Sequence, residues 1–253
     1  MSLTLSEAQL EAIQQFDTST IANAIEHFGV RLRNEGFTRP GLRCVTRGRA
    51  RLLGYAATSK VRSADPPMSG KAYFDRTDWW TNIERLPQPR IAVIQDTDSE
   101  PGIGSCMGEV HAAILKAFHC AGVITNGAVR DIPAVSKLDF PMFAPLVTVS
   151  HSYLHIVDFG EPVKIFGLKV RAGDLIYADC HGAVSIPLEV AAELPEAAAR
   201  IQEKEKRIVQ VCLREPAELS GACYFPIASP GASPGCWTTC LPGSSNLYRR
   251  TAS

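Results

Sequence analysis

The sequence has no excess of charge of either sign and no long apolar run. Its 26 lysines and arginines balance 26 acidic residues, so nothing favours binding to nucleic acid or to an anionic membrane. No apolar run approaches the roughly 20 residues that a transmembrane helix needs. The first residues, MSLTLSEAQLEAIQQF, lack a basic region followed by an apolar stretch, which argues against a secretory signal peptide. We therefore expect a cytoplasmic protein that binds neither nucleic acid nor a membrane.

Cysteine is plentiful, with eight residues, of which three lie close together in sequence. Cys223, Cys236 and Cys240 lie near the end of the chain, where a structural zinc site would lack a fourth ligand. The other cysteines stand singly and are expected to be free and mostly buried in a reduced compartment. Cys106, beside a predicted helix start, could have a lowered thiol pKa. The histidines lack mutual spacing that suggests a metal site: His119, His151, His155 and His181.

The composition of the chain, 253 residues of which 45% are apolar, is sufficient for one hydrophobic core. Residues 1–215 are predicted to form a single α/β domain. Residues 216–253 are rich in Gly, Pro and Ser and show no periodicity. This second segment is predicted to be a tail that wraps the surface or is partly disordered.

Hydrophobic periodicity and turn residues predict alternating helices and strands. In chain order they predict a helix in two parts over 5–29 with N-cap candidates at 17–20, one or two strands over 49–61, a helix near 74–86, a strand over 91–98, a helix over 109–118, a strand over 121–125, no single regular element over 132–145, short strands over 146–186, and a long helix over 189–214 with Pro195 at a kink or near its first turns.

Residues 101–131, PGIGSCMGEVHAAILKAFHCAGVITNGAVRD, carry the densest chemistry of the sequence. A glycine-rich loop leads into the predicted helix, whose free N-terminal N–H groups favour an anion. The predicted strand follows and ends at an Asn-Gly turn. Arg130 and Asp131 then leave the far end of that strand and could approach the same end of the helix.

A dinucleotide-binding turn is one interpretation of this stretch, since a strand is followed by Gly-Ile-Gly and a helix. The glycines fall at 102, 104 and 108, so the third is one place too late for G-x-G-x-x-G. No acidic residue ends a second strand cleanly to hold a ribose. A nucleotide-dependent enzyme or methyltransferase is therefore disfavoured.

A metal-assisted site for a small oxo acid is the other interpretation. Glu109 and Asp131 are hard oxygen donors suited to Mg²⁺ or Mn²⁺. Arg130 offers a planar fork that matches a carboxylate, and the amides around Gly108, Val110 and His111 could hold its other end. Such a site would bind a 2-oxo acid and stabilise an enolate. On spacing alone, an exposed helix-capping Glu109 with a surface Arg-Asp pair is the commoner arrangement.

The pattern GEVHAAILKAFHCAGVITNGAVRD, with Glu109 followed by Arg130-Asp131, resembles the RraA-like superfamily. Its metal-dependent members include the 4-hydroxy-4-methyl-2-oxoglutarate/4-carboxy-4-hydroxy-2-oxoadipate aldolases, which also decarboxylate oxaloacetate. Further blocks resemble the family in the same order: DTSTIANAIEHFGVR, GYAATS at 54–59, and AGDLIYADCHGAVSIP followed by the EKEKRI helix. The resemblance covers roughly residues 10–210.

The resemblance implies a three-layer β/β/α swivelling-domain sandwich with flanking N- and C-terminal helices, assembled as a homotrimer or homohexamer with active sites between protomers. It implies that Asp131 ligates the metal directly and that Glu109 reaches it directly or through water. Arg130 would bind the pyruvyl carboxylate and polarise the oxo group. Glu205 matches an acid that the family contributes across a subunit boundary.

The resemblance implies a class II aldolase or decarboxylase, a lyase that acts on a 4-substituted 2-oxo acid through a pyruvate enolate. The alternative is a non-catalytic regulator that binds a protein such as a ribonuclease. Regulators of this superfamily generally lack the first acid, so Glu109 favours the enzyme. Three positions depart from the family: Glu109 and Asn126 stand where Asp is usual, and Asn23 where Asp is frequent.

Overall fold

The computed structural model describes residues 4–48, 51–67 and 77–214, and six helices lie in these ranges. They are α1 (Glu7–Gln14), α2 (Thr18–Phe28), α3 (Thr77–Glu84), α4 (Glu109–Ala117), α5 (Ile132–Lys137) and α6 (Leu194–Arg214). Within the described part of the chain, no helix combines the length and the apolar character that crossing a bilayer requires.

Thirteen strands lie in the same described ranges. They are β1 (Arg43–Cys44), β2 (Leu52–Arg62), β3 (Arg90–Asp96), β4 (Ser105–Met107), β5 (Cys120–Thr125), β6 (Ala128–Val129), β7 (Met142–Ala144), β8 (Leu146–Val147), β9 (His155–Phe159), β10 (Val163–Ile165), β11 (Leu168–Val170), β12 (Leu175–Asp179) and β13 (Gly182–Ile186).

The main sheet has the order β1-β7-β5-β3-β2-β12-β13, with β9 paired to β2. Strands β2, β3, β5 and β7 run parallel, and β12 pairs with β2 in the antiparallel sense. Strands β3 and β5 are almost wholly buried, as apolar runs in a covered parallel sheet should be. A smaller parallel sheet has the order β4-β6-β8. Its strands β6 and β8 follow β5 and β7 directly in the chain.

Helices cover one face of the main sheet, and the β10–β11 hairpin covers the other. Trp79, Leu115 and Val135, from α3, α4 and α5, pack in one cluster with β2, β3 and β5. Apolar residues of α1, α2 and α6 pack against β2, β12 and β13. Ala57 faces the helices whereas its neighbour Ala56 faces the hairpin, because successive strand residues point to opposite faces. The predicted three-layer β/β/α sandwich with flanking helices is confirmed.

The helix ends agree with the sequence prediction at α2 and differ at α6. Asp17 caps α2 by accepting from the Thr20 N–H at 2.7 Å, and Gly29 ends it with φ +64°. Helix α6 begins at Leu194, so the predicted start at 189 is wrong, because turns occupy residues 188–193. Pro195 lies in the first turn, where its missing N–H costs no helical hydrogen bond.

The described residues up to Val211 belong to one compact unit. The predicted tail, residues 216–253, lies outside the described residues, so the proposed boundary after residue 215 stays a prediction.

Candidate functional site

The carboxyl ends of β3 and β5 are joined by the side chain of Asn126. Its Nδ2 donates to the carbonyl of Asp96 at 2.9 Å, and its Oδ1 accepts from the Asp96 N–H at 2.8 Å. Asp96 is buried, and its Oδ2 accepts from the Gly102 N–H at 2.8 Å. Burial, with the nearby Asp98 charge, raises the pKa of Asp96 despite these hydrogen bonds. These contacts fix the start of the glycine-rich loop to the carboxyl ends of the central strands.

The other end of this loop is held by the buried carboxylate of Asp98. Its Oδ2 accepts from the N–H groups of Ser63 and Ala64 at 2.7 and 2.9 Å, and Arg62 Nε donates to Oδ1 at 3.2 Å. Ser63 Oγ in turn accepts from the Gly104 N–H at 2.9 Å. Burial opposes the charge on Asp98, but these hydrogen bonds outweigh it and lower the pKa of its carboxyl. The loop is thereby held at both ends where it delivers the chain to α4.

Arg130 and Asp131 reach the amino end of α4, as their place after β5 predicts. Asp131 has a left-handed backbone, φ +56°, which is uncommon for a residue with a side chain. Its carbonyl accepts from Ala134 and Val135 and begins α5. Its Oδ2 instead accepts from the Glu109 N–H at 3.1 Å and lies 3.6 Å from Arg130 Nε. A carboxylate and a guanidinium therefore meet at a helix N-terminus.

Gly108 makes this meeting possible by its lack of a side chain. Its backbone is extended, with φ −144°, so its conformation alone would tolerate other residues. A Cβ at this position, however, would lie 2.5 Å from Asp131 Oδ2 and 3.2 Å from Arg130 Nε. Gly108 is therefore needed for the close approach of the two charged side chains to α4.

The first turn of α4 presents a mixed surface beside the Arg130–Asp131 pair. Glu109 and Val110 are exposed, whereas His111 is mostly buried. Burial lowers the pKa of His111 to about 4, and the charges of Arg130 and His151 add to the effect. His111 is consequently neutral at pH 7.

A divalent cation fits the chemistry of the donors at this position. Asp131 and Glu109 offer carboxylate oxygens, and Mg²⁺ is commonly bound through one or two carboxylates with water filling the other positions. The observed contact joins the Asp131 carboxylate to the backbone of Glu109, and the Glu109 side chain remains exposed to solvent. The predicted roles of both residues as metal ligands stay predictions.

Glu205 and Asn23 lie elsewhere on the chain. Glu205 is exposed on α6, and among the described residues no hydrogen bond or ion pair joins it to Arg130 or Asp131. Asn23 is exposed on α2. The role of Glu205 across a subunit boundary stays a prediction, because it concerns a second copy of the chain.

The suggestion that the thiol pKa of Cys106 is lowered is wrong. Cys106 lies within β4 and is buried, and its Sγ donates to Thr125 Oγ1 at 3.5 Å. Burial raises the pKa of its thiol to about 12, far from the lowered value that a helix N-terminus would give. Of the five cysteines in the described ranges, all free, Cys106 and Cys120 are buried, whereas Cys180 and Cys212 are exposed.

His151 lies near the candidate site, although its position in the sequence does not indicate this. Its charge acts on His111, and its backbone carbonyl lies against Gly104, where a Cβ would approach to 2.4 Å. No spacing in the sequence links positions 111 and 151. The pairing of β4, β6 and β8 and the hydrogen bond from the Ser105 N–H to the Ser150 carbonyl, at 2.8 Å, bring the two segments together.

A cavity of about 640 Å³ lies at the opposite end of these strands, where β2, β3 and β5 begin. Leu52, Pro89 and Cys120 are among its lining residues. The Arg130–Asp131 pair itself is open, with 34% and 42% of the two side chains exposed. In the single chain the candidate site is thus a surface rather than an enclosed pocket.

Fold and site together define an α/β sandwich with a basic–acidic pair at the free amino end of a helix. A family model described as RraA-like, Aldolase/RraA, matches residues 18–185. The match covers more than half of the chain, and the chain belongs to this family. The resemblance found in the sequence is confirmed.

Two known proteins are similar to this chain in sequence. A protein provisionally named 4-hydroxy-4-methyl-2-oxoglutarate aldolase, from Halalkalibacterium halodurans, is 28% identical over 187 residues, which cover 72% of this chain and 80% of the relative. An uncharacterized protein from Methanocaldococcus jannaschii is 26% identical over 200 residues, covering 76% of this chain and 88% of that protein.

A solved structure shares the fold. RraAS2 from Streptomyces coelicolor, described as an unusual member of the RNase ES inhibitor RraA protein family, superposes with a TM-score of 0.64 at 23% identity. The superposition covers 82% of this chain and 99% of RraAS2. At this identity the likeness concerns the fold alone.

Proposed function

We propose that the protein is a divalent-metal-dependent lyase that cleaves, by a retro-aldol step, or decarboxylates a 4-substituted 2-oxo acid through a pyruvate enolate. The observation that carries the proposal is the meeting of Arg130 and Asp131 at the amino end of α4. The relative named as a 4-hydroxy-4-methyl-2-oxoglutarate aldolase supports the same class of substrate.

Arg130 is the residue proposed to bind the pyruvyl end of the substrate. Its side chain is about one-third exposed, and its Nε lies 3.6 Å from Asp131 Oδ2. The remaining N–H groups can therefore form the paired hydrogen bonds that a planar fork makes with a carboxylate. The N–H of Val110, in the first turn of α4, has no acceptor within the helix and is a second donor for the same anion.

Asp131 and Glu109 are the residues proposed to hold Mg²⁺ or Mn²⁺. When bound, the cation supplies Lewis-acid polarisation of the substrate's oxo group. The left-handed backbone of Asp131 turns its carboxylate away from α5 and towards α4, which orients the side chain for this role. Glu109 has one methylene more than the usual aspartate and lies exposed beside it.

His111 and Arg130 determine the positive charge that the protein places beside the substrate. His111 is neutral at pH 7, so it lines the site without adding a second cation that would compete with Arg130 for the carboxylate. The negative charge that develops on the oxo oxygen as the carbon–carbon bond breaks lies beside the Arg130 guanidinium. Arg130 thereby binds the transition state more tightly than the ground state.

Closure of the site is proposed to require a second copy of the chain. The pair is open in the single chain, and exposed apolar side chains lie next to it. We define the β8 surface as Ile103, Leu146, Val147 and Val149, of which Val149 is 93% exposed. Val147 pairs in register with Val129, which directly precedes Arg130. A homotrimer or homohexamer that buries the β8 surface would exclude water and bring Glu205 from a neighbour.

Pyruvate release from oxaloacetate tests the enzyme against the regulator. With Mg²⁺ or Mn²⁺, wild-type protein is expected to release pyruvate faster than a protein-free control, and excess chelator should abolish the difference. Asp131→Ala should lose the activity. Asp65→Ala, which alters an exposed acid in an ion pair with Arg62, is the matched control. The non-catalytic regulator would be favoured if the folded wild-type oligomer showed no metal-dependent turnover of either oxaloacetate or 4-hydroxy-4-methyl-2-oxoglutarate.

A further inference from the structure

The turn between β12 and β13 gathers three metal-ligating side chains outside the candidate active site. His181 Nδ1 lies 3.1 Å from Asp179 Oδ1 and 3.6 Å from Cys180 Sγ. One ligand atom from each of the three residues lies within 4.8 Å of the others. Within the described ranges, this is the cluster of histidine, cysteine and carboxylate groups compact enough to share one ion.

We propose that Asp179, Cys180 and His181 bind Zn²⁺ or a similar thiophilic divalent cation. In a tetrahedral zinc site the bond lengths place nitrogen and sulfur ligands about 3.6 Å apart, and nitrogen and oxygen ligands about 3.3 Å apart. The observed separations of 3.6 and 3.1 Å meet both requirements with little movement. Two of the three ligand separations thus already match zinc coordination, and all three ligand atoms lie within 4.8 Å of one another.

The ligand types select the kind of cation. A thiolate with an imidazole favours zinc or cobalt, whereas Mg²⁺ prefers oxygen ligands alone. The site therefore differs in chemistry from the carboxylates at Asp131 and Glu109. Three protein ligands leave the fourth position to water or to an incoming ligand. Binding releases the proton of the Cys180 thiol and leaves the cation bound to the thiolate.

The side chain of Asp179 is held in place by hydrogen bonds. Its side chain is 5% exposed and is fixed by Thr18, whose N–H donates to Oδ2 at 2.8 Å and whose Oγ1 donates to Oδ1 at 2.6 Å. The N–H of His181 also donates to Oδ1, at 2.9 Å. Cys180 and His181 are exposed at the tip of the hairpin, so a cation can reach them from solvent. One anchored carboxylate and two solvent-accessible side chains are thus held within reach of one cation.

Titration of the full-length protein with Co²⁺ tests the proposal, because a cobalt–thiolate bond gives a charge-transfer absorption band. One equivalent of Co²⁺ per chain should produce the band, Zn²⁺ should remove it, and excess Mg²⁺ should leave it unchanged. Cys180→Ser should abolish the band, and His181→Ala should weaken cobalt binding by at least about tenfold. Both residues are exposed, so thermal unfolding should be unaffected.

Other cysteines provide the controls. Cys212→Ser, at another exposed cysteine, and a triple Ser variant of Cys223, Cys236 and Cys240 should keep the band. Asp131→Ala should also keep it. A band that survives in Cys180→Ser, disappears in the triple variant, or is displaced by Mg²⁺ would overturn the proposed site.

Discussion

At the scale of single residues, burial of neutral His111 makes the stability of the protein depend on pH. Its pKa falls from an ordinary value of 6.5 to about 4 on folding. Between these values the unfolded chain binds a proton that the folded chain does not bind. The contribution of neutral His111 to the free energy of unfolding should therefore be fully present above pH 6.5 and be lost as the pH falls towards 4.

Denaturant unfolding at pH 7 and pH 5 measures this effect. We expect wild-type protein to lose about 1 to 2 kcal/mol more between the two pH values than His111→Asn loses. His27→Asn, at an exposed histidine of α2, is the matched control and should behave as wild type. Equal losses in wild type and His111→Asn would show that His111 is not a buried neutral group.

Substitution of Gly108 is expected to affect activity much more than stability. In Gly108→Ala the new methyl group would meet Asp131 Oδ2, the far end of a flexible side chain that can move away. Stability should change little, but displacement of the carboxylate should lower metal-dependent pyruvate release by about 10- to 100-fold.

The control for Gly108→Ala is Gly173→Ala. That position has no atom within 4 Å of an added Cβ, but its φ of +86° makes the substitution strained. It should lower stability and leave turnover unchanged. An active Gly108→Ala variant would contradict the assigned position of Asp131.

At the scale of secondary structure, Asn126 joins two parallel strands through a reciprocal pair of hydrogen bonds with Asp96. An ionised aspartate could accept from the Asp96 N–H but could not donate to its carbonyl. Asn126→Asp should therefore lower the free energy of unfolding by about 1 to 3 kcal/mol. Asn23→Asp, on the exposed face of α2, should change it by less than about 0.5 kcal/mol. Equal effects in a denaturant titration would remove this account of Asn126.

Helices and strands with strong patterns could be predicted from the sequence. Periodicity located α4, and the apolar runs at β3 and β5 located the parallel core. The start of α6 could not be predicted, because the alanine-rich residues before Leu194 are compatible with either a helix or turns. The packing of the chain decided in favour of turns. Likewise, only the strand pairing that covers β4 explains why Cys106 is buried.

At the scale of the whole molecule, the β8 surface is expected to mediate self-association. Wild-type protein should have the mass of three or six chains by light scattering. Val149→Asp places a charge at the apolar contact and should shift the protein to smaller species with lower turnover. Leu32→Asp, at another exposed apolar position, is the control. A monomeric wild type that is fully active would contradict the proposed closure of the site by a neighbour.

The candidate site was predicted only in part. The sequence placed Arg130 and Asp131 at the end of a strand that follows the helix, and their approach to α4 follows from that order. The contribution of His151 depends on pairing between distant segments and leaves no local pattern. The proposed role of Glu205 depends on a neighbouring copy.

The central claim is that Arg130 binds the carboxylate of a 2-oxo acid during metal-dependent bond cleavage. Pyruvate release from oxaloacetate by Arg130→Ala, with spontaneous metal-catalysed decarboxylation subtracted, tests it most directly. We predict a loss of about 100-fold or more, with Arg130→Lys recovering part of it because the charge remains without the fork. Arg33→Ala, which breaks an exposed ion pair with Glu26, should retain full activity. Wild-type turnover in Arg130→Ala would contradict the account.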